Sequence, residues 1–277
     1  MRNRKSVFVW AFMSVLLFAF QSKIQAADVD TLEVFSTAMN KNIKTVVIYP
    51  EGKDRQDLPT LYLLHGYSGN YSNWVDKAPH IKELADYYGI LIVSPDGGFG
   101  SWYWDIEGDA NYQYETFITQ ELLAYIESNY PVSQDRKKRG ITGLSMGGHG
   151  GLYLGLRHQD LYGAAGSTAG GVDFRPFPTK WEIKDRLGEY ADNANEWDAH
   201  TVIELLHLYK PELGLELFVD CGEQDFFYGV NEKLHEKLNY HNIPHRYLTM
   251  PGKHNWDYWK KSIVYQLAFF KDMFSTE

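Results

Sequence analysis

Residues 139–151 read Arg-Gly-Ile-Thr-Gly-Leu-Ser-Met-Gly-Gly-His-Gly-Gly, which contains the pattern Gly-x-Ser-x-Gly at Gly143, Ser145 and Gly147. A short β-prone run precedes the serine, and the helix-compatible run 151–158 follows it. A chain that turns sharply from strand to helix strains the serine backbone, and side chains two residues to either side would collide. The pattern therefore predicts an exposed serine hydroxyl beside a helix N-terminus, which favours developing negative charge.

A histidine and a carboxylate are needed before this serine can act as a nucleophile. Without them, an ordinary glycine-rich turn explains the pattern equally well in a chain with 24 glycines. The histidine takes the hydroxyl proton, and the carboxylate orients the histidine. After a strand-to-helix turn of this type, the acid and then the histidine follow along the chain, each in a loop beyond a strand.

The loops after the last two predicted strands supply these residues in that order. Asp225 lies beyond the penultimate strand, with Asp220 at the strand end and Glu223 as the alternatives. His254 lies beyond the last strand, and of the ten histidines it alone follows a strand after the acid. We therefore predict Ser145 as the nucleophile, Asp225 as the orienting acid and His254 as the general base.

The loop after a central strand, residues 63–69 (Leu-Leu-His-Gly-Tyr-Ser-Gly), is expected to help form an oxyanion hole. One backbone N–H of the hole comes from this loop and the other from the residue after the nucleophile, here Tyr67 and Met146. His65 is expected to brace the loop by hydrogen bonding, since it has no partner at a spacing that suits a metal ion. His149 is expected to pack within the helix that follows the serine.

Strand and helix patterns alternate from residue 28 onward. Runs that fit strands occur at 44–49, 59–64, 90–93, 139–142, 163–167, 215–219 and 245–249. Runs that fit helices occur at 80–88, 114–128, 151–158, 230–241 and 256–273. This alternation predicts an α/β fold with a mostly parallel central sheet and helices on both faces. The strand-free interval 170–214 suggests a small helical cap or, alternatively, a surface excursion.

The first 27 residues differ from the rest of the chain. A positively charged start is followed by the almost unbroken apolar run 7–20 and by a polar stretch that ends in Ala26-Ala27. This layout is typical of a secretory signal peptide over residues 1–27, with an uncleaved N-terminal anchor as the alternative. Residues 28–277 contain no repeat and no linker, so we expect a single domain there.

Charge and cysteine content restrict the partners of the chain. Removal of residues 1–26 would take away four basic residues and no acidic one, which leaves 23 basic against 36 acidic residues and a formal charge of −13. Such a surface argues against nucleic acid or an anionic membrane as a partner. The single cysteine, Cys221, excludes an internal disulfide and a cysteine-based metal cluster. Export without disulfides suits the bacterial periplasm or the cell exterior.

Four ordered motifs resemble those of the esterase D superfamily of α/β-hydrolases. They are Leu-His-Gly-Tyr-Ser-Gly-Asn (64–70), Gly-Leu-Ser-Met-Gly-Gly-His-Gly (143–150), Cys-Gly-Glu-Gln-Asp-Phe-Phe (221–227) and Pro-Gly-Lys-His-Asn-Trp-Asp-Tyr-Trp (251–259). The superfamily includes S-formylglutathione hydrolases, tributyrin esterases, the feruloyl and acetyl-xylan esterases of carbohydrate esterase family one, and mycolyltransferases. The resemblance covers residues 32–275 and implies an α/β-hydrolase fold and ester hydrolysis by Ser145, Asp225 and His254, without a cofactor.

A further run, Pro-Asp-Gly-Gly-Phe-Gly-Ser-Trp-Tyr-Trp-Asp at 95–105, is similar to the tributyrin and carbohydrate-esterase branches. In those branches a comparable run lies by the active site. The resemblance implies that Trp102, Tyr103 and Trp104 stack on a sugar or on an aromatic acyl group of the substrate. Packing inside the protein is the alternative for two of the three. The tryptophans after His254, Trp256 and Trp259, are expected to pack the terminal helix.

The sequence as a whole predicts a secreted or periplasmic serine carboxylesterase that acts on acyl esters of carbohydrates, with a feruloyl, acetyl or other short acyl group. Its partner would be a small-molecule or oligosaccharide ester, with no membrane contact after signal cleavage. One alternative is an acyltransferase of the mycolyltransferase type, and another is a thioesterase like S-formylglutathione hydrolase. The signal peptide counts against the latter, whose branch is normally cytosolic. A non-catalytic sugar-binding module is the alternative from another class.

Overall fold

The computed structural model describes residues 27–51 and 56–275. The predicted signal peptide lies outside the described residues except for Ala27. In this part of the chain, no helix has the length and apolar character needed to cross a membrane.

The described residues form one eight-stranded sheet. Its strands are β1 Asp28–Ser36, β2 Lys41–Tyr49, β3 Thr60–Leu64, β4 Leu91–Pro95, β5 Arg139–Gly143, β6 Ala164–Thr168, β7 Glu216–Gly222 and β8 Arg246–Met250. Their spatial order is β1-β2-β4-β3-β5-β6-β7-β8. Strand β2 pairs antiparallel with β1 and β4, and the other neighbours are parallel. The predicted mostly parallel sheet is confirmed, with β1 as an additional edge strand whose side chains are mainly exposed.

Helices follow the strands as the α/β pattern predicts. They are α1 Asn73–Lys77, α2 Ile81–Tyr88, α3 Tyr114–Thr116, α4 Leu123–Asn129, α5 Met146–Arg157, α6 Ile183–Leu187, α7 Ala194–His200, α8 Tyr228–Tyr240 and α9 Trp256–Phe274. The helix predicted at 114–128 is present but contains a wider π-helical turn, Phe117–Leu122, between α3 and α4. Helix α5 begins directly after Ser145, five residues earlier than its apolar run suggested.

The sheet separates two hydrophobic cores. In β3, Tyr62 and Leu64 face a core formed with α5, α8 and the segment after β6. Leu61 and Leu63 face the opposite core, which is closed by α2 and α9. Every residue of β3 is buried, as expected for a central parallel strand covered by helices on both faces.

The glycines of α5 let this helix approach the sheet closely. A Cβ atom at Gly151 would lie 2.4 Å from the carbonyl oxygen of Gly166, and one at Gly155 would lie 2.4 Å from the Cβ of Ala165. Glycine is a poor helix former, so its presence here is explained by packing rather than by propensity. The close contact with β6 fixes the height of the helix start above the sheet, and hence the position of Ser145.

The interval 170–214 is helical, as the cap prediction proposed. It contains α6, α7 and two short 3₁₀ turns, Val202–Leu208 and Pro211–Leu213. The Arg175 guanidinium ties three parts of the interval together through ion pairs of 2.6–2.9 Å with Asp173, Asp198 and Glu204. Multiple charge-assisted hydrogen bonds to one guanidinium hold a geometry better than isolated surface pairs do.

Candidate active site

Ser145 occupies the turn between β5 and α5 in a conformation that side chains rarely adopt. Its φ is 57° and its ψ is −116°. The backbone is held by the Ser145 N–H, which donates to the Thr168 carbonyl oxygen at 2.9 Å. A Cβ at either Gly143 or Gly147 would lie 2.5 Å from the carbonyl oxygen of Leu64, so both positions must be glycine for the turn to close. The predicted strand-to-helix turn is therefore present, and its strain is stored at the serine.

His254 connects Ser145 to a buried carboxylate. The Ser145 hydroxyl lies 2.9 Å from His254 Nε2, and His254 Nδ1 lies 2.7 Å from Asp225 Oδ2. With Nδ1 protonated, Nδ1–H donates to the carboxylate and Nε2 accepts from the hydroxyl. The other carboxylate oxygen accepts the Phe227 N–H at 2.8 Å, and the Asp225 side chain is fully buried. The structure thus brings together the three residues selected from the sequence order.

The two alternative acids do not contact His254. Asp220 lies in β7 and is fully buried. Its carboxylate accepts hydrogen bonds at 2.7–3.0 Å from the side chains of Thr168, Ser262, Gln266 and Tyr258. Burial raises the pKa of Asp220 to about 6, against the four donors that lower it. Its role is to join β6, β7 and α9. The side chain of Glu223 is exposed to solvent.

The loop after β3 is held rigidly beside the serine. His65 is fully buried, and its Nδ1–H donates to the Gly66 carbonyl at 2.8 Å while its Nε2 accepts the Gly97 N–H at 2.7 Å. The predicted bracing role is thus present. Within the described parts of the chain, neither the Tyr67 nor the Met146 backbone N–H donates to a protein acceptor. Their assignment to the oxyanion hole stays a prediction.

A cavity of about 330 Å³ opens at Ser145. Polar groups in its lining come from the loop 66–69 and from Asn73. Its lining also contains the aromatic side chains of Trp181, Phe226, Trp256 and Trp259. The last two were expected only to pack the terminal helix; they do pack against each other, with ring centroids 5.3 Å apart, but they also border the cavity.

The residues Trp102, Tyr103 and Trp104 do not contact the cavity, and the substrate-binding role inferred for them from the resemblance is wrong. Their side chains are 1%, 0% and 0% exposed. Trp102 and Tyr103 have φ values of 55° and 63°, and these left-handed turns direct the run into the core. The Trp104 indole N–H donates to His149 Nε2 at 2.9 Å, and the Tyr103 hydroxyl donates to the His65 carbonyl at 3.0 Å.

His149 packs in this core, as predicted. Burial lowers its pKa to about 3, so the ring stays neutral and Nε2 remains free to accept the Trp104 N–H. Trp181 and Phe226 line the cavity although neither was predicted from the sequence to do so. Phe226 had a usable signal, because it follows Asp225 directly. Trp181 had none, since it lies in the cap far from every motif.

Metal binding finds no support in the part of the chain that the structure describes. Across residues 27–51 and 56–275, no group of three or more His, Cys, Asp or Glu side chains is placed to hold a metal ion.

Comparison with known proteins identifies relatives of one chemical class. A family model described as "Putative esterase" matches residues 36–270. An acetyl esterase of Caldicellulosiruptor saccharolyticus is 29% identical over 254 residues, which cover 84% of this chain and 94% of the relative. The resemblance to esterase D-type enzymes inferred from the motifs is confirmed.

Solved structures show the same fold. The fluorophosphonate-binding serine hydrolase FphF of Staphylococcus aureus superposes with a TM-score of 0.79 at 22% identity, over 89% of this chain and 99% of its own. A ferulic acid esterase superposes with a TM-score of 0.76 at 26% identity, over 90% of this chain and all of its own. The α/β-hydrolase fold is thereby confirmed.

Proposed function

The chain belongs to the putative esterase family and is a carboxylic ester hydrolase, and we propose that it works through an acyl-enzyme on Ser145. The observation that carries this proposal is the unbroken hydrogen-bond chain from the Ser145 hydroxyl through His254 to Asp225, at the floor of an open cavity. His254 is the general base and then the general acid, and Asp225 holds its ring in the required tautomer.

In the first half-reaction, Ser145 Oγ attacks the ester carbonyl carbon while His254 Nε2 takes the hydroxyl proton. The carbonyl oxygen becomes an oxyanion, which accepts hydrogen bonds from the Tyr67 and Met146 N–H groups. The intermediate then expels the alcohol oxygen, and His254 returns the proton to it. In the second half-reaction, water attacks the acyl carbonyl carbon while His254 Nε2 takes one of its protons. The bond to Ser145 Oγ then breaks, His254 returns the proton to Oγ, and the carboxylic acid is released.

We further propose an acyl ester of a carbohydrate as the substrate, with a short acyl group. Three observations support this class: the similarity to an acetyl esterase, the structural likeness to a ferulic acid esterase, and a cavity of about 330 Å³ whose lining includes several aromatic side chains. An acyltransferase is the second candidate, since a mycolyltransferase of Mycobacterium gordonae is 36% identical over 154 residues, although these cover only 52% of this chain and 43% of the relative. The two functions share the triad and differ in whether water or an alcohol takes the acyl group.

Export to the periplasm or the cell exterior is part of the proposal. It is supported by the basic, apolar and small-residue layout of residues 1–27 and by the presence of a single cysteine. The test is to determine the N-terminal residue of the protein recovered from the non-cytoplasmic fraction, which should lie near Ala27 if a signal peptide has been removed. Recovery of the intact N-terminus in the cytoplasmic fraction alone would refute export.

A substrate panel tests the proposed activity. It contains 4-nitrophenyl acetate, 4-nitrophenyl butyrate, methyl ferulate, an acetylated xylo-oligosaccharide and S-formylglutathione, each with the wild type and Ser145→Ala. We expect the highest kcat/KM for the oligosaccharide ester and no turnover with Ser145→Ala. Preference for S-formylglutathione would contradict the substrate class, and transfer of acetyl to added oligosaccharide in place of hydrolysis would favour the acyltransferase.

A further inference from the structure

A network of buried polar side chains lies between the sheet and helix α9, and it contains none of the reacting groups. None of its members is more than 2% exposed. They are Thr142 of β5, Thr168 of β6, Asp220 of β7, and Tyr258, Ser262 and Gln266 of α9. Buried polar groups are costly unless each finds a partner, and a fully paired network fixes one geometry of the segments that it joins. The segments joined here adjoin Ser145 and His254.

Thr168 connects the network to the nucleophile. Its hydroxyl donates to Asp220 Oδ2 at 2.9 Å, and its backbone carbonyl oxygen accepts the Ser145 N–H at 2.9 Å. The next residue, Ala169, donates its N–H to the Asp220 carbonyl oxygen at 2.7 Å. The end of β6 is thus tied to Asp220 by a side chain and by the backbone. A shift of Thr168 would carry the strained backbone of Ser145 with it.

Tyr258 connects the same carboxylate to the histidine. Its hydroxyl donates to Asp220 Oδ1 at 3.0 Å. Helix α9 begins at Trp256, two residues after His254, so Tyr258 lies in the first turn of the helix. The Tyr258 ring also packs on the loop before the histidine, because a Cβ at Gly252 would lie 2.4 Å from Tyr258 Cδ2. Fixing Tyr258 therefore fixes both sides of the segment that carries His254.

Gln266 and Ser262 complete the partners of the carboxylate. Gln266 Nε2 donates to Asp220 Oδ2 at 2.7 Å, and Ser262 donates to Oδ1 at 2.7 Å. Gln266 Oε1 in turn accepts the Thr142 hydroxyl at 2.9 Å. Thr142 lies in β5, the strand that leads into the nucleophile turn. Asp220 is therefore linked to the strand before the nucleophile as well as to β6.

We propose that Asp220 is a positioning residue for the reaction: its carboxylate keeps Ser145 and His254 at hydrogen-bond distance. Thr168 transmits its position to the serine, and Tyr258 transmits it to the histidine. Ser145 Oγ and His254 Nε2 are 2.9 Å apart although their residues are 109 positions apart in the chain. Because a hydrogen bond weakens steeply beyond about 3.2 Å, a small shift of either residue slows proton transfer. This inference rests on the proposed reaction at Ser145 and concerns how its geometry is kept.

Two substitutions that keep side-chain shape break the network on either side of Asp220. Thr168→Val removes the hydroxyl on the nucleophile side, and Tyr258→Phe removes the one on the histidine side. We expect each to lower kcat for 4-nitrophenyl acetate about 5–20-fold, a part of the loss of up to about 100-fold that misplacement by about 1 Å causes. Thr168→Ser restores the hydroxyl and should keep kcat within about twofold of the wild type.

Thr119→Val is the matched control for Thr168→Val. It makes the same change at a buried threonine whose hydroxyl donates to the Glu115 carbonyl oxygen at 2.8 Å, in the π-helical turn Phe117–Leu122. This control should leave kcat unchanged. Unfolding in urea checks that each variant is folded. If Thr168→Val or Tyr258→Phe does not fold, Ser262→Ala takes its place, because it removes a different donor to Asp220.

Labelling with a fluorophosphonate gives a second measurement that does not depend on the ester class. Ser145 Oγ attacks the phosphorus, His254 takes the hydroxyl proton and fluoride leaves. The rate constant of labelling should fall by the same factor as kcat in Thr168→Val and Tyr258→Phe. If the wild type is labelled at Ser145 but hydrolyses no ester, the proposed function fails, and the labelling rates still support or overturn the positioning role.

The double variant Thr168→Val/Tyr258→Phe tests whether the two hydroxyls act through one carboxylate. Its combined loss in kcat should be smaller than the product of the two single losses by about threefold or more. Losses that multiply fully would assign separate local roles to the two residues and would overturn the coupling through Asp220. Wild-type kcat and labelling in the folded single variants, or an equal loss in Thr119→Val, would show that the network serves stability alone.

Discussion

We expect Gly147→Ala to separate the two backbone segments that form the site. A Cβ at this position, in the first turn of α5, would lie 2.5 Å from the Leu64 carbonyl oxygen and 2.6 Å from that of His65. Both oxygen atoms belong to the backbone, so the contact cannot be relieved by the rotation of a side chain. Restoring ordinary contact requires the loop and the helix to move apart by about 0.5–0.9 Å.

This displacement acts on catalysis more than on folding. The loop after β3 carries the Tyr67 N–H, and Gly147 lies two residues after the nucleophile, so the predicted oxyanion donor moves away from Ser145. Misplacement of about 1 Å costs up to about 100-fold in rate, so we expect kcat to fall about 10–100-fold. Overpacking should cost about 1–3 kcal/mol in the free energy of unfolding. Hydrolysis of 4-nitrophenyl acetate and urea unfolding measure the two effects.

Gly229→Ala is the matched control for this substitution. Gly229 lies near the start of α8, and a Cβ there would meet no atom within 4 Å. Alanine should raise stability by about 0.5–1 kcal/mol and leave kcat/KM within about twofold. Wild-type kcat in folded Gly147→Ala, or an equal loss of activity in Gly229→Ala, would show that the close backbone contact at Gly147 does not position the site.

Three further predictions concern the buried groups around the site. Asp225→Asn should lower kcat about 10³–10⁴-fold because the amide no longer fixes the tautomer of His254. The same kinetics with Asp220→Asn serve as the control, and we expect a loss that is at least about tenfold smaller. Equal losses in the two variants would contradict the assignment of Asp225. Burial raises the pKa of Asp220 to about 6 from the ordinary 3.8, so its contribution to stability is complete below pH 3.8 and is lost as the pH rises through about 6. The wild-type free energy of unfolding in urea should therefore exceed that of Asp220→Asn by more at about pH 5 than at about pH 8. A difference that does not change with pH would argue against this. Burial raises the pKa of the Cys221 thiol well above its usual range, so iodoacetamide should label only the unfolded protein, and rapid labelling of the native protein would disprove this.

The sequence was sufficient to predict the residues that lie at strand ends. Ser145, Asp225 and His254 each follow a run that fits a β-strand, and parallel strands bring the loops at their ends to one edge of the sheet. The strand β1 was missed because its side chains are mostly exposed and leave no apolar pattern. The wide turn at Phe117–Leu122 was missed because one additional residue per turn hardly changes a helical periodicity.

Side-chain direction was harder to predict than element position. Trp102 and Tyr103 look like a surface-exposed aromatic run, but both have left-handed backbones that turn them inward, and neither is a glycine. Trp181 and Phe226 meet at the cavity from the cap and from the loop after β7. Such a long-range contact between non-periodic segments leaves no local pattern in the sequence.

The most direct test of the account is to trap the covalent intermediate. Protein mixed with 4-nitrophenyl acetate and quenched during the first turnover should show a burst of nitrophenol and one acetyl group, which peptide mapping by mass spectrometry locates on Ser145. Ser145→Ala, folded as judged by its unfolding curve, should show neither the burst nor the adduct. An acetyl group on another residue, or turnover retained by Ser145→Ala, would contradict the assignment of the nucleophile and the mechanism built on it.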